Sequence, residues 1–233
     1  MSMIDIHSHI LPGIDDGSRD VETSLGILNL CAKQGVDLMV ATPHFYADTD
    51  RVESFLARRR EAYEKLDLAK RCPKPDILLG AEVAFFEGMG RAEKIPALTI
   101  EGTDVLLLEM PFRTWDDSVL REIEYLLEKR KLRIIIAHLE RFLRLPGNDI
   151  YIRELLALPV FVQINAESLL DRRQRGSLLK LFKKGQAQLL GSDCHGMHRR
   201  PPNLWEGRKV LEHRLGTEYL ERMDKLAAEL LGR

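Results

Sequence analysis

Short apolar runs of strand length recur along the chain, at residues 3–6, 37–42, 77–85, 105–110, 133–137, 160–164 and 188–191. Between most of them, apolar residues fall three and four apart. Val52, Phe55, Leu56, Tyr63 and Leu66 form one such set, and Val119, Ile123, Leu126 and Leu127 another. That spacing places one apolar stripe on a helix. Near-continuous apolar strands joined by amphipathic crossovers build a parallel sheet covered by helices, and seven such units predict an α/β fold, a seven-stranded (β/α)7 TIM-like barrel. An open doubly wound sheet is the alternative. Residues 204–231 read as two helices packed outside the barrel. No internal repeat, low-complexity tract or Gly-, Pro- or Ser-rich linker divides the chain, so 1–233 is expected to be one catalytic domain.

The polar residues that close the apolar runs carry the chemistry. The first run ends in His7 and His9 and the second in His44. The third contains Glu82, Glu109 closes the fourth, His138 follows the fifth, and Asp193 with His195 follows the seventh. In a β/α barrel the C-terminal strand ends converge on one face, so these residues are expected to meet. His7 and His9, two apart, are expected on one face of a strand, as are Asp193 and His195. Glu109 follows Val105, Leu106, Leu107 and Leu108 directly, and a carboxylate buried beside such a run needs a cation. Glu82, in LLGAEVAFF, has the same character. Asp15 and Asp16 sit in a Pro- and Gly-marked turn where aspartate also serves local hydrogen bonds, and spacing does not choose between them. Mixed imidazole and carboxylate donors suit manganese, iron or zinc better than the all-oxygen sites of magnesium and calcium. So many donors call for two or three ions, an arrangement that activates water for hydrolysis. Arg141, three residues beyond His138, and Arg199 and Arg200, four and five beyond His195, are candidates for holding phosphate oxygens.

Composition narrows the picture. The 233 residues carry 35 basic and 36 acidic side chains, a net charge of -1. That balance supplies no field to steer the chain onto nucleic acid or anionic lipid. The start lacks a basic segment followed by an apolar one, and no apolar run reaches membrane-spanning length, so neither export nor membrane insertion is expected. Three widely spaced cysteines, Cys31, Cys72 and Cys194, do not make a disulfide framework and fit a reducing cytoplasm.

The segments IDIHSHILPGIDDGS, ATPHF, GAEV, LLLEMP, AHLERF and SDCHG followed by RRPPN resemble the polymerase and histidinol phosphatase (PHP) family. Within it they are most similar to bacterial manganese-dependent protein-tyrosine phosphatases of the CpsB/YwqE type, associated with capsule and exopolysaccharide operons. The resemblance spans essentially the whole chain. It implies a distorted seven-stranded barrel with three ions, manganese in this branch. One ion would take His7, His9, Glu82 and Asp193; a second would share Glu82 and add Glu109 and His138; a third would take Asp16, His44 and His195. It further implies Arg141 and Arg200 as the phosphate-binding arginines, and a cognate bacterial tyrosine kinase as the phosphotyrosine partner. Leu139 stands where proline is common in that family, and Cys194 where methionine is usual; neither change removes a ligand.

Three other readings compete. Cys194 and Arg200 spell C-x5-R, the pattern of thiolate-dependent tyrosine phosphatases, but strand alternation turns Cys194 away from the face of Asp193 and His195. A small phosphomonoester such as histidinol phosphate is a possible substrate that fold does not exclude. A regulatory protein with a closed structural metal site fits the surplus of ligands poorly. Phe45, Tyr46, Phe85, Phe86, Phe112, Trp115 and Phe142 lie at or just after ligand-bearing strands and are expected to ring the mouth of the barrel, where they would suit a phosphotyrosine ring. His213 reads as a solvated helix residue and His198 as a loop residue.

Overall fold

A computed structural model describes residues 2–70 and 73–233; Cys72 lies outside the described residues. Strand and helix alternate as the apolar pattern predicts. The strands are β1 (Met3–Ser8), β2 (Val36–Ala41), β3 (His44–Phe45), β4 (Asp76–Leu79), β5 (Glu82–Ala84), β6 (Val105–Glu109), β7 (Arg133–Ile136), β8 (Phe161–Asn165) and β9 (Leu189–Gly191). The helices are α1 (Val21–Lys33), α2 (Val52–Ala69), α3 (Asp117–Glu128), α4 (Asp149–Leu155), α5 (Ala166–Leu170), α6 (Arg175–Lys183), α7 (Leu204–Leu215) and α8 (Thr217–Leu230). Caps set where some helices begin: the Asp20 carboxylate accepts from Thr23 N at 2.7 Å, and that of Asp116 from Ser118 N at 2.9 Å.

All strand pairs are parallel, in the orders β1-β2-β4 and β3-β5-β6-β7-β8-β9. The first sheet runs on into the second along the chain: Gly80 N donates to Ala41 O at 2.8 Å at the end of the β2–β4 pair, and Glu82 N to Pro43 O at 3.1 Å at the start of the β3–β5 pair. The outer edges, β1 and β9, come together past their ends, where Asp193 N donates to His7 O and His9 N to Cys194 O, both at 2.9 Å. The sheet is thus strongly curled. The described residues hold nine strands rather than the seven expected. Residues 37–42 form β2 as expected, but a further two-residue strand, β3, follows Thr42 and Pro43, and residues 77–85 do not form one strand, since Gly80 and Ala81 separate β4 from β5. Proline has no N–H for the ladder, and glycine weakens a strand interior.

The core has two layers. Ile4, Ile6, Leu38, Val40, Val105, Leu107, Ile135 and Leu189 fill the inner layer together with Ala227 and Leu230 of α8. Leu106, Leu108, Ile134, Ile136, Val162 and Ile164 alternate outward, against helices such as α3, which buries Val119, Ile123 and Leu126. The C-terminal segment forms two helices as expected, α7 and α8, but α8 packs Ala227 and Leu230 into the inner layer rather than on the outside; the two are clasped by a buried pair in which Arg208 donates to both oxygens of Asp224 at 2.5 and 2.8 Å. Among the described residues, no helix is long and apolar enough to cross a membrane.

Candidate metal centre

One step of irregular backbone brings the first histidines together. Asp5 pairs with Met39 and Ser8 with Ala41, so β1 spends three steps against two on β2. A bulge of this kind re-aims side chains. Ile6 packs in the inner layer while its neighbour His7 turns into the polar end above it. His9 follows just past the strand.

At that end four donor atoms converge. His7 Nε2 and His9 Nε2 lie 3.2 Å apart. Glu82 Oε2 is 3.3 Å from each of them, and Asp193 Oδ1 is 3.6 Å from the first and 3.4 Å from the second. An ion with donors at roughly 2.0–2.2 Å sets neighbouring donors about 3.3–3.6 Å apart; His7, His9 and Glu82 form one compact group, and Asp193 joins His7 and His138 in another. Glu82 Oε2 and Asp193 Oδ1 are buried and have no hydrogen-bond partner among the described residues. Orphaned buried carboxylate oxygens facing paired imidazole nitrogens fit a cation.

The other predicted residues border this cage. His138 Nε2 lies 2.6 Å from Glu82 Oε1 and 3.4 Å from Glu109 Oε1. His44 Nδ1 stands 2.9 Å from Glu82 Oε2, and its Nε2 is 3.4 Å from Asp16 Oδ1. His195 Nε2 is 3.3 Å from the same Asp16 oxygen. All nine predicted donors therefore lie in one continuous cluster. Among them, His9, Asp16, His44 and His195 form one compact group and His44, Glu82 and Glu109 another. The grouping by distance is not the three-way partition the resemblance implies, since His9 and His44 each border two groups.

Asp15 and Asp16, which spacing left open, differ in the fold. The half-buried Asp15 carboxylate accepts from Gly17 N at 2.9 Å and His44 N at 3.0 Å, and its Oδ2 lies 2.7 Å from His9 Nδ1. It is a brace for His9, whereas the exposed Asp16 carboxylate faces the other two histidines. His195 Nδ1 is tied to Asp193 O at 3.0 Å. In both imidazoles Nε2 is the atom that faces inward.

Electrostatics follow from this crowding. Burial opposes ionisation of Glu82 and Asp193, yet the imidazoles of His7, His138 and His9 outweigh it and hold both carboxyls well below the usual range. Burial and the charge of Glu82 push Glu109 up to about 7. Burial, with His9 and Arg200 nearby, pulls His195 down to about 4. Backbone strain gathers here as well: His138, Asp193 and Arg200 have φ of 30°, 52° and 51°. Non-glycine residues in the left-handed region are held there by surrounding contacts and cluster at functional sites.

The arginines reach the cluster. Arg141 and Arg200 both donate to Asp193 Oδ2, Arg200 at 2.6 Å, and Arg200 Nη1 lies 2.7 Å from His195 Nε2. Beside them a cleft of about 450 Å³ opens, lined by Asp16, Arg19, Thr23, His195, Met197 and Arg200. Arg199, the other arginine candidate, is exposed on the same cleft.

The aromatic ring expected at the mouth is only partly there. Tyr46 and Phe112 are exposed and Phe85 and Phe86 half-buried, but Phe45, Trp115 and Phe142 are core residues. Apolar packing under the loops claims those three: Trp115 and Phe142 lie 5.7 Å apart, with the Phe112 ring tilted against Phe142 at 4.8 Å. Cys194 is fully buried in the outer apolar layer against Cys31 of α1. It does turn away from the site as expected, although β9 ends at Gly191, so the turn comes from irregular backbone rather than strand alternation. His198 and His213 are exposed. Sequence reasoning missed Asp15 as a brace, and missed Gln163 and Asn165. The available signal for that pair was two amides at alternate positions of an otherwise apolar strand.

Residues 3–230 match the model of the family described as capsular polysaccharide synthesis, CpsB/CapC. The chain belongs to this family. It is 32% identical over 230 residues to the tyrosine-protein phosphatase YwqE of Bacillus subtilis (strain 168), covering 93% of this chain and 86% of that protein. It is 28% identical over 228 residues to the tyrosine-protein phosphatase CpsB of Streptococcus agalactiae, covering 93% and 92%. In fold it matches a solved structure described as YwqE from Bacillus subtilis and CpsB from Streptococcus pneumoniae, metal-dependent tyrosine phosphatases. That match has a TM-score of 0.76 and 23% identity, over 98% of this chain and 94% of the other. The Escherichia coli phosphotriesterase homology protein shares the fold more distantly, with a TM-score of 0.55 at 12% identity over 95% of each chain. The likeness to these two structures concerns the fold alone.

Proposed function

We propose that this chain is a metal-dependent tyrosine-protein phosphatase that hydrolyses phosphotyrosine in a protein. The observation that carries the reading is the cluster of His7 Nε2, His9 Nε2, Glu82 Oε2 and Asp193 Oδ1, with each carboxylate oxygen 3.3–3.6 Å from both imidazole nitrogens, those nitrogens 3.2 Å apart, and two orphaned carboxylate oxygens. Family membership and the names of the relatives point to the same chemistry. We read β2 with β3, and β4 with β5, as single interrupted staves, which makes a seven-stave barrel forming one catalytic domain.

His7, His9, Glu82 and Asp193 would hold one ion; Glu82, Glu109 and His138 a second; Asp16, His44 and His195 a third. Manganese is the ion we favour, with iron and zinc also suited to this donor set. When bound, such ions lower the pKa of a water and neutralise phosphoryl charge. The chain's own residues supply the rest. The guanidinium groups of Arg141 and Arg200, already directed at the cluster, hold phosphoryl oxygens and gain strength as charge builds on them in the transition state. Asp15 fixes His9 by its Nδ1. Tyr46 and Phe112, exposed on the rim, flank the tyrosine ring.

The partner we infer is a bacterial tyrosine kinase governing polysaccharide assembly, met in the cytoplasm. A panel of phosphopeptides and histidinol phosphate tests the substrate class. The kcat/KM for phosphotyrosine peptides is expected to exceed that for phosphoserine peptides and histidinol phosphate by roughly tenfold or more, about 1.4 kcal/mol of transition-state binding. A higher value for histidinol phosphate would replace the protein substrate by a small one.

A further inference from the structure

β8 brings no candidate metal donor to the cluster, yet it occupies the centre of the arc between β7 and β9. Its apolar residues Val162 and Ile164 face the helices. Alternation therefore turns Gln163 and Asn165 to the inner side, where Gln163 is fully buried and Asn165 nearly so. Two uncharged amides at this depth cost stability unless their hydrogen-bonding groups are matched.

The matching has a defined polarity. The backbone N–H of His138 can only donate, and it meets Gln163 Oε1 at 2.9 Å. The Gln163 amide is thereby oriented. The same oxygen lies 3.1 Å from His7 Nδ1, so that nitrogen must carry a proton, and in the neutral imidazole Nε2 then keeps its lone pair toward His9 and Glu82. At the other end of the amide, Gln163 Nε2 donates to Asn165 Oδ1 at 2.7 Å, which orients Asn165 in turn. Asn165 Nδ2 then donates to Asp193 Oδ2 at 2.8 Å from the buried side, on the same oxygen as Arg141 and Arg200, leaving Asp193 Oδ1 as the oxygen that faces both imidazoles.

We propose that Gln163 and Asn165 are positioning residues, a buried amide relay that fixes the His7 tautomer and the rotation of the Asp193 carboxylate so that their donor atoms converge. This rests on the metal-dependent reading given above. The relay touches three members of the cluster at once, His7, His138 and Asp193, which themselves form one compact group. Two of these, His138 and Asp193, are the ones whose left-handed backbone must be held in place. Space for the relay comes from Gly191: a Cβ there would lie 2.7 Å from His7 Cβ and 3.0 Å from Gln163 Nε2. A residue larger than glycine would push apart the contact the relay depends on.

The test uses the full chain. Long-range proton–nitrogen NMR spectra of the metal-free protein are expected to show His7 protonated on Nδ1, and calorimetric titration with Mn²⁺ alone gives the affinity. Gln163→Met keeps length and volume but removes the acceptor; the His7 proton should redistribute to Nε2 and Mn²⁺ affinity should fall roughly 10–100-fold. Asn165→Leu removes the Asp193 arm and the acceptor of Gln163 Nε2, but the His138 N–H still fixes Gln163 Oε1 toward His7, so it should weaken Mn²⁺ binding while His7 stays protonated on Nδ1. A wild-type His7 protonated on Nε2 but not on Nδ1 would overturn the relay without any variant having to fold. So would Gln163→Met or Asn165→Leu proteins that lose thermal stability yet bind Mn²⁺ with unchanged affinity. A chain that follows all these expectations but hydrolyses no phosphate ester would defeat the proposed function and leave the relay standing.

Discussion

His7 and His9 direct their Nε2 atoms at each other across 3.2 Å, and Glu82 Oε2 stands 3.3 Å from both. Two lone pairs and a carboxylate oxygen at that spacing repel unless protons or a cation lie between them. A ligand that binds only the folded chain stabilises it by about 2.7 kcal/mol at a hundredfold excess over Kd. For a chain of this length that is a rise of roughly 5–10 °C in Tm. Thermal unfolding of chelator-treated protein with and without Mn²⁺ measures it, and an unchanged Tm would contradict a metal-filled cage.

Substitutions separate the cage from the arginines. His7→Ala, Glu109→Ala and Asp193→Ala should lower the bound metal content and remove most of kcat. Arg141→Ala and Arg200→Ala should retain metal and lose on the order of 10²–10³-fold in kcat/KM, because the guanidinium groups act on phosphoryl charge. Elemental analysis alongside steady-state kinetics reads both. Full activity in the Arg200→Ala protein would remove that residue from the phosphate site.

Stability should depend on Glu140, which lies beside the site but outside the cage. Its Oε1 accepts from Asn165 N at 3.0 Å and Ser168 Oγ at 2.8 Å, while Oε2 has no partner among the described residues. Burial pushes its carboxyl from 4.5 up to about 7, against the lowering effect of those hydrogen bonds. The folded chain therefore holds this proton more tightly than the unfolded chain does. The stability it contributes is fully present below about pH 4.5 and is lost as pH rises through about 7. Glu140→Gln keeps an acceptor and cannot ionise, so at pH 8 it should be more stable than wild type by about 1–3 kcal/mol. Denaturant unfolding of both proteins at pH 5 and pH 8 checks this; an equal pH dependence would contradict it.

Cys194 should be dispensable. Its thiol sits in the apolar layer against Cys31, outside the cluster formed by its two neighbours in sequence. Cys194→Ser should keep activity within severalfold and retain its metal. An inactive Cys194→Ser protein with full metal content would restore the thiolate mechanism suggested by C-x5-R.

The alternation of apolar runs with helical spacing made the parallel α/β architecture legible, and the donors at the strand ends made the cluster legible. Both arise from local rules: period-2 and period-3.6 burial, and convergence of C-terminal strand ends. The break at Gly80–Ala81 and the short strand β3 were less legible, because apolar character runs through residues 77–85 without marking the break, and β3 is only two residues long. Burial of Phe45, Trp115 and Phe142 depends on which loop covers which, information that is not local. The division of labour between Asp15 and Asp16 rests on one hydrogen bond to His9 that spacing cannot encode.

The most direct measurement is hydrolysis of a phosphotyrosine peptide by one preparation before chelation, after complete metal removal verified by elemental analysis, and after Mn²⁺ is restored. The cage of His7, His9, Glu82 and Asp193 predicts two or three ions per chain at the start, loss of activity with the metal, and recovery when Mn²⁺ returns. Undiminished phosphotyrosine hydrolysis by protein shown to contain no metal would contradict the account.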